Sequence, residues 1–158
     1  MLPHLNTMNT LLTSLALIVC LSALPASAAL GGDVTSIDAD QAQMKGSVEV
    51  KQFSAFTIHQ IKVPIGTVVR EYVSPAGTVF AVGWTGPFLP DLQQLFGNYF
   101  DQYSAGVKAE KASYVGRHPL NVQTPGLVVQ MTGHVRDYHG HAYLPNQVPV
   151  GVKTEELW

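Results

Sequence analysis

The densest run of chemistry-bearing side chains in the chain is His134-Val135-Arg136-Asp137-Tyr138-His139-Gly140-His141-Ala142-Tyr143. On a strand, successive side chains alternate, so Asp137, His139, His141 and Tyr143 project from one face. Two imidazoles at i and i+2 can share a metal ion, and nitrogen ligands suit zinc, copper, nickel or iron. Asp137 would ligate as well, or orient a histidine through its second ring nitrogen. This pattern describes a metal-binding protein or a metal-dependent hydrolase using His139 and His141, with a divalent transition metal such as zinc as cofactor. The plainer alternative needs no cofactor. Tyr138, Gly140, Ala142 and Leu144 read as a core side, which leaves the Asp/His face merely solvated. The plainer reading outweighs the other, because His-x-His supplies only two of the three or four protein ligands a metal site requires. His59 and His118 are possible additions, but spacing does not bring them near.

Other chemistry is sparse. The chain has no Gly-x-Ser-x-Gly elbow, no His-Glu-x-x-His, no phosphate-binding glycine loop and no dinucleotide fingerprint. Arg70-Glu71 falls mid-strand, so one of the two can point inward, and a buried ion needs a partner. Asp91 and Arg136 are candidates for that partner, in a structural ion pair. The basic residues are scattered, which gives nucleic-acid binding no support.

The elements that must position these residues are legible in outline. Val63-Pro64-Ile65-Gly66-Thr67-Val68-Val69 is echoed eleven residues later by Ser74-Pro75-Ala76-Gly77-Thr78-Val79-Phe80. Each copy contains x-Pro-x-Gly, with Pro at the second turn position and Gly at the fourth. Around these turns, Thr57–Val63, Thr67–Val73 and Thr78–Trp84 are rich in β-branched and aromatic residues. A three-stranded antiparallel meander over about 57–84 follows. After Gly86-Pro87, the spacing of Leu92, Leu95, Phe96, Tyr99 and Tyr103 predicts one main helix over about 90–104, its aromatic face packed on the sheet. Pro90 and Asp91 suit its first turn.

Leu127–Thr132 and His134–Leu144 flank Gly133 and predict a C-terminal hairpin over about 127–144; Leu120–Thr124 is a further short strand. Ser36 would cap a brief helix through Met44 closed by Gly46, and Ser47–Gln52 would be another strand. The tail from Pro145 reads as irregular. The fold class is α+β with an antiparallel sheet. An outer-membrane barrel does not fit, since helix interrupts strands shorter than the roughly 9–11 residues a barrel needs.

Charge is low and unevenly placed. Of 158 residues, 46% are hydrophobic and 13% charged, which excludes a disordered chain. No Lys, Arg, Asp or Glu precedes Asp33. Leu11 through Leu24 is an apolar run of signal-peptide length, broken by Pro25 and followed by the small-x-small motif Ala26-Ser27-Ala28. No Lys or Arg stands before the apolar run; His4 and the amino terminus are all that could act there. Residues 1–28 are therefore expected to be a signal peptide and 29–158 a single exported domain without a membrane span. Cys20 reads as part of the apolar run; the alternative is lipid anchoring at Cys20, which lacks the small residue expected before it. Loss of Cys20 with the leader leaves no cysteine, and so no disulfide or thiolate chemistry.

Arg70-Glu71-Tyr72-Val73-Ser74-Pro75-Ala76-Gly77-Thr78-Val79-Phe80, with Val69 before it and Ala81-Val82 after it, resembles a bacterial exported family, domain of unknown function 2844. The likeness continues through Trp84-x-Gly86-Pro87, Pro90-Asp91-Leu92, Leu95-x-Gly97-x-Tyr99-Phe100, Pro125-Gly126-Leu127-Val128-Val129 and Gly133-His134-Val135-Arg136. Ala29-Leu30-Gly31-Gly32 and Pro149-x-Gly151-Val152 fit its two ends. The resemblance implies a signal peptide and an envelope or extracellular location, without an established activity. It also implies a histidine at 134 but not at 139 and 141. The expectation is a periplasmic or secreted, non-enzymatic module that binds another cell-envelope protein or a small ligand.

Overall fold

The computed structural model describes residues 29–113 and 118–157. The expected leader, Cys20 and the Ala26-Ser27-Ala28 motif lie outside the described residues. A helix α1 (Ser36–Met44) leads into strands β1 (Ser47–Gln52), β2 (Thr57–Lys62), β3 (Val68–Val73) and β4 (Val79–Gly86). Helices α2 (Leu92–Phe96) and α3 (Phe100–Ser113) follow, then β5 (Leu120–Gln123), β6 (Val128–His134) and β7 (Asp137–Tyr143). The strands form one antiparallel sheet in the order β1-β2-β3-β4-β7-β6-β5. The protein is α+β, with the meander, main helical segment and C-terminal hairpin in the expected places.

The two echoed segments close turns with the same hydrogen bonds. Gly66 N–H donates to the Val63 carbonyl and Gly77 N–H to that of Ser74; Val63 and Ser74 in turn donate to Thr67 and Thr78. Both glycines have positive φ, +91° and +83°, a conformation that side chains with a Cβ resist.

Element boundaries differ from the expected ones at several points. Asp91 is the N-cap of α2, its carboxylate accepting from the N–H groups of Gln93 and Gln94 at 2.9 and 3.1 Å. The helix breaks at Gly97 through a 3₁₀ turn, Gly97–Tyr99, and resumes as α3 to Ser113, beyond the expected end. Ser36 is not a cap. Thr35 holds that position, and Ser36 is the first helical residue, 3% exposed. Lys45, at φ +53°, takes the left-handed position ascribed to Gly46. The β6–β7 turn lies at Val135-Arg136, not Gly133, because His134 pairs with Asp137 and Gly133 with Tyr138.

Alternation gives the sheet two faces. Ile61, Val69, Val82, Trp84, Val129 and Ala142 build the main core against Ile37 of α1 and Leu92, Leu95 and Phe96 of α2. The expected aromatic stripe of the helix packs there too, through Tyr99 and Tyr103. A second, smaller core covers part of the other face: Tyr72, Phe80 and Ala81 enclose Leu157 from the tail, joined by Phe56, Ile58, Tyr143, Val148 and Val152. Among the described residues, no helix is long and apolar enough to cross a membrane.

Candidate functional site

Strand β7 carries the histidine-rich segment, and its alternation holds. Asp137, His139 and His141 share a face, while Ala142 and Leu144 lie in the main core. His139 is the register partner of Thr85 on β4. Its Nδ1 lies 2.6 Å from Thr85 Oγ1, and its Nε2 lies 2.7 Å from Asp137 Oδ1. The result is a hydroxyl–imidazole–carboxylate chain on the sheet surface. Both ring nitrogens are thereby engaged within the protein, so a metal ion could take His139 only by displacing one of these bonds. Asp137 and His139 side chains are 64% and 43% exposed, which leaves the carboxylate in water and limits how strongly it can polarise the ring.

His141 departs from the solvated face expected for it. It is 2% exposed, where the tail segment carrying Leu157 crosses this part of the sheet. Its register partner is Gly83, and the Leu157 carbonyl lies 3.5 Å from where a Cβ at Gly83 would stand. The ring stacks on Tyr143 at 6.1 Å and 10°. Burial lowers the pKa of the imidazole. Gly140, between the two histidines, has a packing reason: a Cβ there would lie 2.3 Å from the Trp84 indole.

The suggested additional ligands are elsewhere. His59 on β2 pairs with Val50 and Glu71, with β3 and β4 between its strand and β7 in the sheet order. His118 precedes β5, with Nδ1 3.8 Å from Glu110 Oε1. Among the described residues, no group of three or more His, Cys, Asp or Glu could hold a metal ion. His118 and His134 instead line a surface groove of about 920 Å³ with Leu89, Leu120, Met131 and Tyr138.

Of Arg70-Glu71, the glutamate points inward, and the expected ion pair does not form. Asp91 caps α2, and Arg136 occupies the exposed β6–β7 turn at φ +66°. Glu71 is 0% exposed, and among the described residues neither carboxyl oxygen has a hydrogen-bond partner. Its charged neighbour is Asp40 of α1, itself 1% exposed. Gln94 Nε2 donates to Asp40 Oδ1 at 2.7 Å, while Oδ2 has no hydrogen-bond partner among the described residues. Burial, aided by the like charge of Asp40, raises Glu71 to about 8. Burial likewise raises Asp40 to about 6, against the opposing bond from Gln94. Glu71 therefore holds its proton at neutral pH. This buried acid pair escaped the sequence, since nothing local tells that α1 sets Asp40 over β3.

The family model described as "Protein of unknown function (DUF2844)" matches residues 26–157. No curated protein and no solved structure matches the chain. With the match running from just before the first described residue to the last, through the meander, the α2 cap and the histidine hairpin, the chain belongs to this family of unknown function.

Proposed function

We propose that the chain is exported to the periplasm or beyond the cell, and that the mature protein is a non-enzymatic binding module of the cell envelope. The carrying observation is the junction at residue 29. The motif Ala26-Ser27-Ala28 is followed at once by Ala29 and Leu30, both buried in the main core. Leu30 N–H donates to the Leu95 carbonyl at 3.0 Å and Gly31 N–H to that of Val79 at 2.8 Å. Cleavage after Ala28 thus leaves these anchoring residues in the mature protein. The binding role is supported by the groove beside β6, whose rim exposes Leu89 and Val135 by 42% and 86%. Exposed apolar side chains around a concavity suit a small ligand or a segment of another envelope protein.

Intact-mass analysis of the protein recovered from the periplasmic fraction tests the reading. The expected product begins at Ala29, and Ala28→Arg should leave the leader attached. Recovery of the uncleaved chain from the cytoplasm defeats the proposal. A lipid-modified product beginning at Cys20 would replace the free module by an anchored one.

A further inference from the structure

Strand β1 lies at one edge of the sheet, with β2 as its one neighbour among the described residues. Phe53 N–H donates to the Phe56 carbonyl at 2.9 Å, closing the β1–β2 hairpin. The register runs from there without a shift through Gln52↔Thr57 to Ser47↔Lys62. Bonded and non-bonded pairs alternate along an antiparallel ladder. With Phe53 bonded inward, Lys51, Glu49 and Ser47 also turn their backbone groups toward β2. Val48, Val50 and Gln52 turn theirs outward, away from the sheet.

The edge has neither proline nor a bulge, two common devices against strand pairing. Its charges are opposite in sign and flank Val50 symmetrically, in the order Val48-Glu49-Val50-Lys51-Gln52. An antiparallel copy centred on Val50 therefore places Glu49 opposite the partner's Lys51, and Lys51 opposite the partner's Glu49. These are the non-bonded positions, where paired Cα atoms come within about 4.5 Å and side chains meet most closely. The outward groups of Val48, Val50 and Gln52 would exchange about six backbone bonds with the second copy. Glu49 already draws Lys62 to 2.9 Å and Lys51 to 3.6 Å on this face. On the opposite face Val50 is 51% exposed, and beyond the strand end Phe53 is 53% exposed. Both would gain cover from a symmetric neighbour.

We propose that β1 is a self-pairing edge, through which two copies of this chain join antiparallel about Val50 into one continuous sheet. Light scattering after size exclusion, across a dilution series of the purified protein, should show a monomer–dimer equilibrium. Glu49→Lys or Lys51→Glu alone sets like charges opposite each other twice and should raise the dissociation constant about tenfold or more. The double variant Glu49→Lys/Lys51→Glu should restore the dimer, and so should an equimolar mixture of the two single variants. Circular dichroism establishes that each variant is folded; should a single variant unfold, the double variant decides. A parent that stays monomeric throughout overturns the proposal, as does a dimer whose strength neither single variant changes. Failure of the double variant to restore the dimer overturns the pairing register.

Discussion

Glu71 shows what one buried side chain imposes on the protein. An ionised carboxylate away from water needs a cation or several donors, and Glu71 instead faces a second acid. The raised pKa values of about 8 for Glu71 and about 6 for Asp40 mean that the folded state keeps protons that the unfolded chain releases near its ordinary values, 4.5 and 3.8. Stability from this pair is fully present below about pH 4 and is lost as pH rises toward 8, with a slope of up to about 1.4 kcal/mol per pH unit for each retained proton. Glu71→Gln keeps the shape and removes the titration. The variant should melt close to the parent at pH 5 and clearly above it at pH 8.5; parallel profiles would show that Glu71 does not titrate in this way. His139 lies on the other face of the sheet, with its side chain 43% exposed. His139→Ala should lower stability by no more than about 1 kcal/mol, the worth of its partly exposed hydrogen bonds. Zinc or a chelator should leave the parent's melting temperature unchanged, and a zinc-dependent rise lost in His139→Ala would restore the metal reading.

At the scale of elements, two glycines make the same substitution fail for different reasons. Gly77 has φ +83° and, among the described residues, no atom within 4 Å of an added Cβ, so Gly77→Ala suffers backbone strain alone, about 1 kcal/mol. Gly140 sits in β7 with a Cβ path that ends 2.3 and 2.6 Å from two carbons of the Trp84 indole. Gly140→Ala must push the largest core side chain aside, at a cost of roughly 2–3 kcal/mol. Urea melts of the two variants should rank Gly140→Ala as the more damaging. The reverse order would mean that Trp84 relaxes freely. The Gly77 turn was readable from x-Pro-x-Gly, because turn chemistry is local. The Gly140 contact was not, since it joins residues 56 positions apart through the β4–β7 pairing.

The whole molecule depends on a tail that reads only as irregular in sequence. After β7 the chain makes two 3₁₀ turns, Pro145–Gln147 and Thr154–Glu156, and sets Leu157 at 0% exposure against Tyr72, Phe80 and Ala81. A sheet with helices on one side exposes its other side unless something crosses it, and here the tail does so over part of that face. Leu157→Ala should therefore destabilise by about 2–4 kcal/mol, the range for a buried leucine in a core. A change below about 0.5 kcal/mol in chemical denaturation would show that the tail rests on the sheet without supporting it.

What the amino-acid sequence determined by itself is what depends on neighbours along the chain: the α+β class, the two echoed turns, the apolar stripe of the main helix and the hairpin that carries the histidines. Periodicity and turn residues act over a few positions, so they survive without the fold. Asp137 and His139 could be placed on one exposed face for the same reason. Tertiary structure alone decided the rest. It buried His141 beneath the tail and tied His139 to Thr85 across two strands. It also set Asp40 over Glu71 where an arginine partner was expected. Each of these outcomes joins segments far apart in sequence, and burial, which decides whether a carboxyl keeps its proton or an imidazole meets water, is a property of what finally covers a residue rather than of the residue itself.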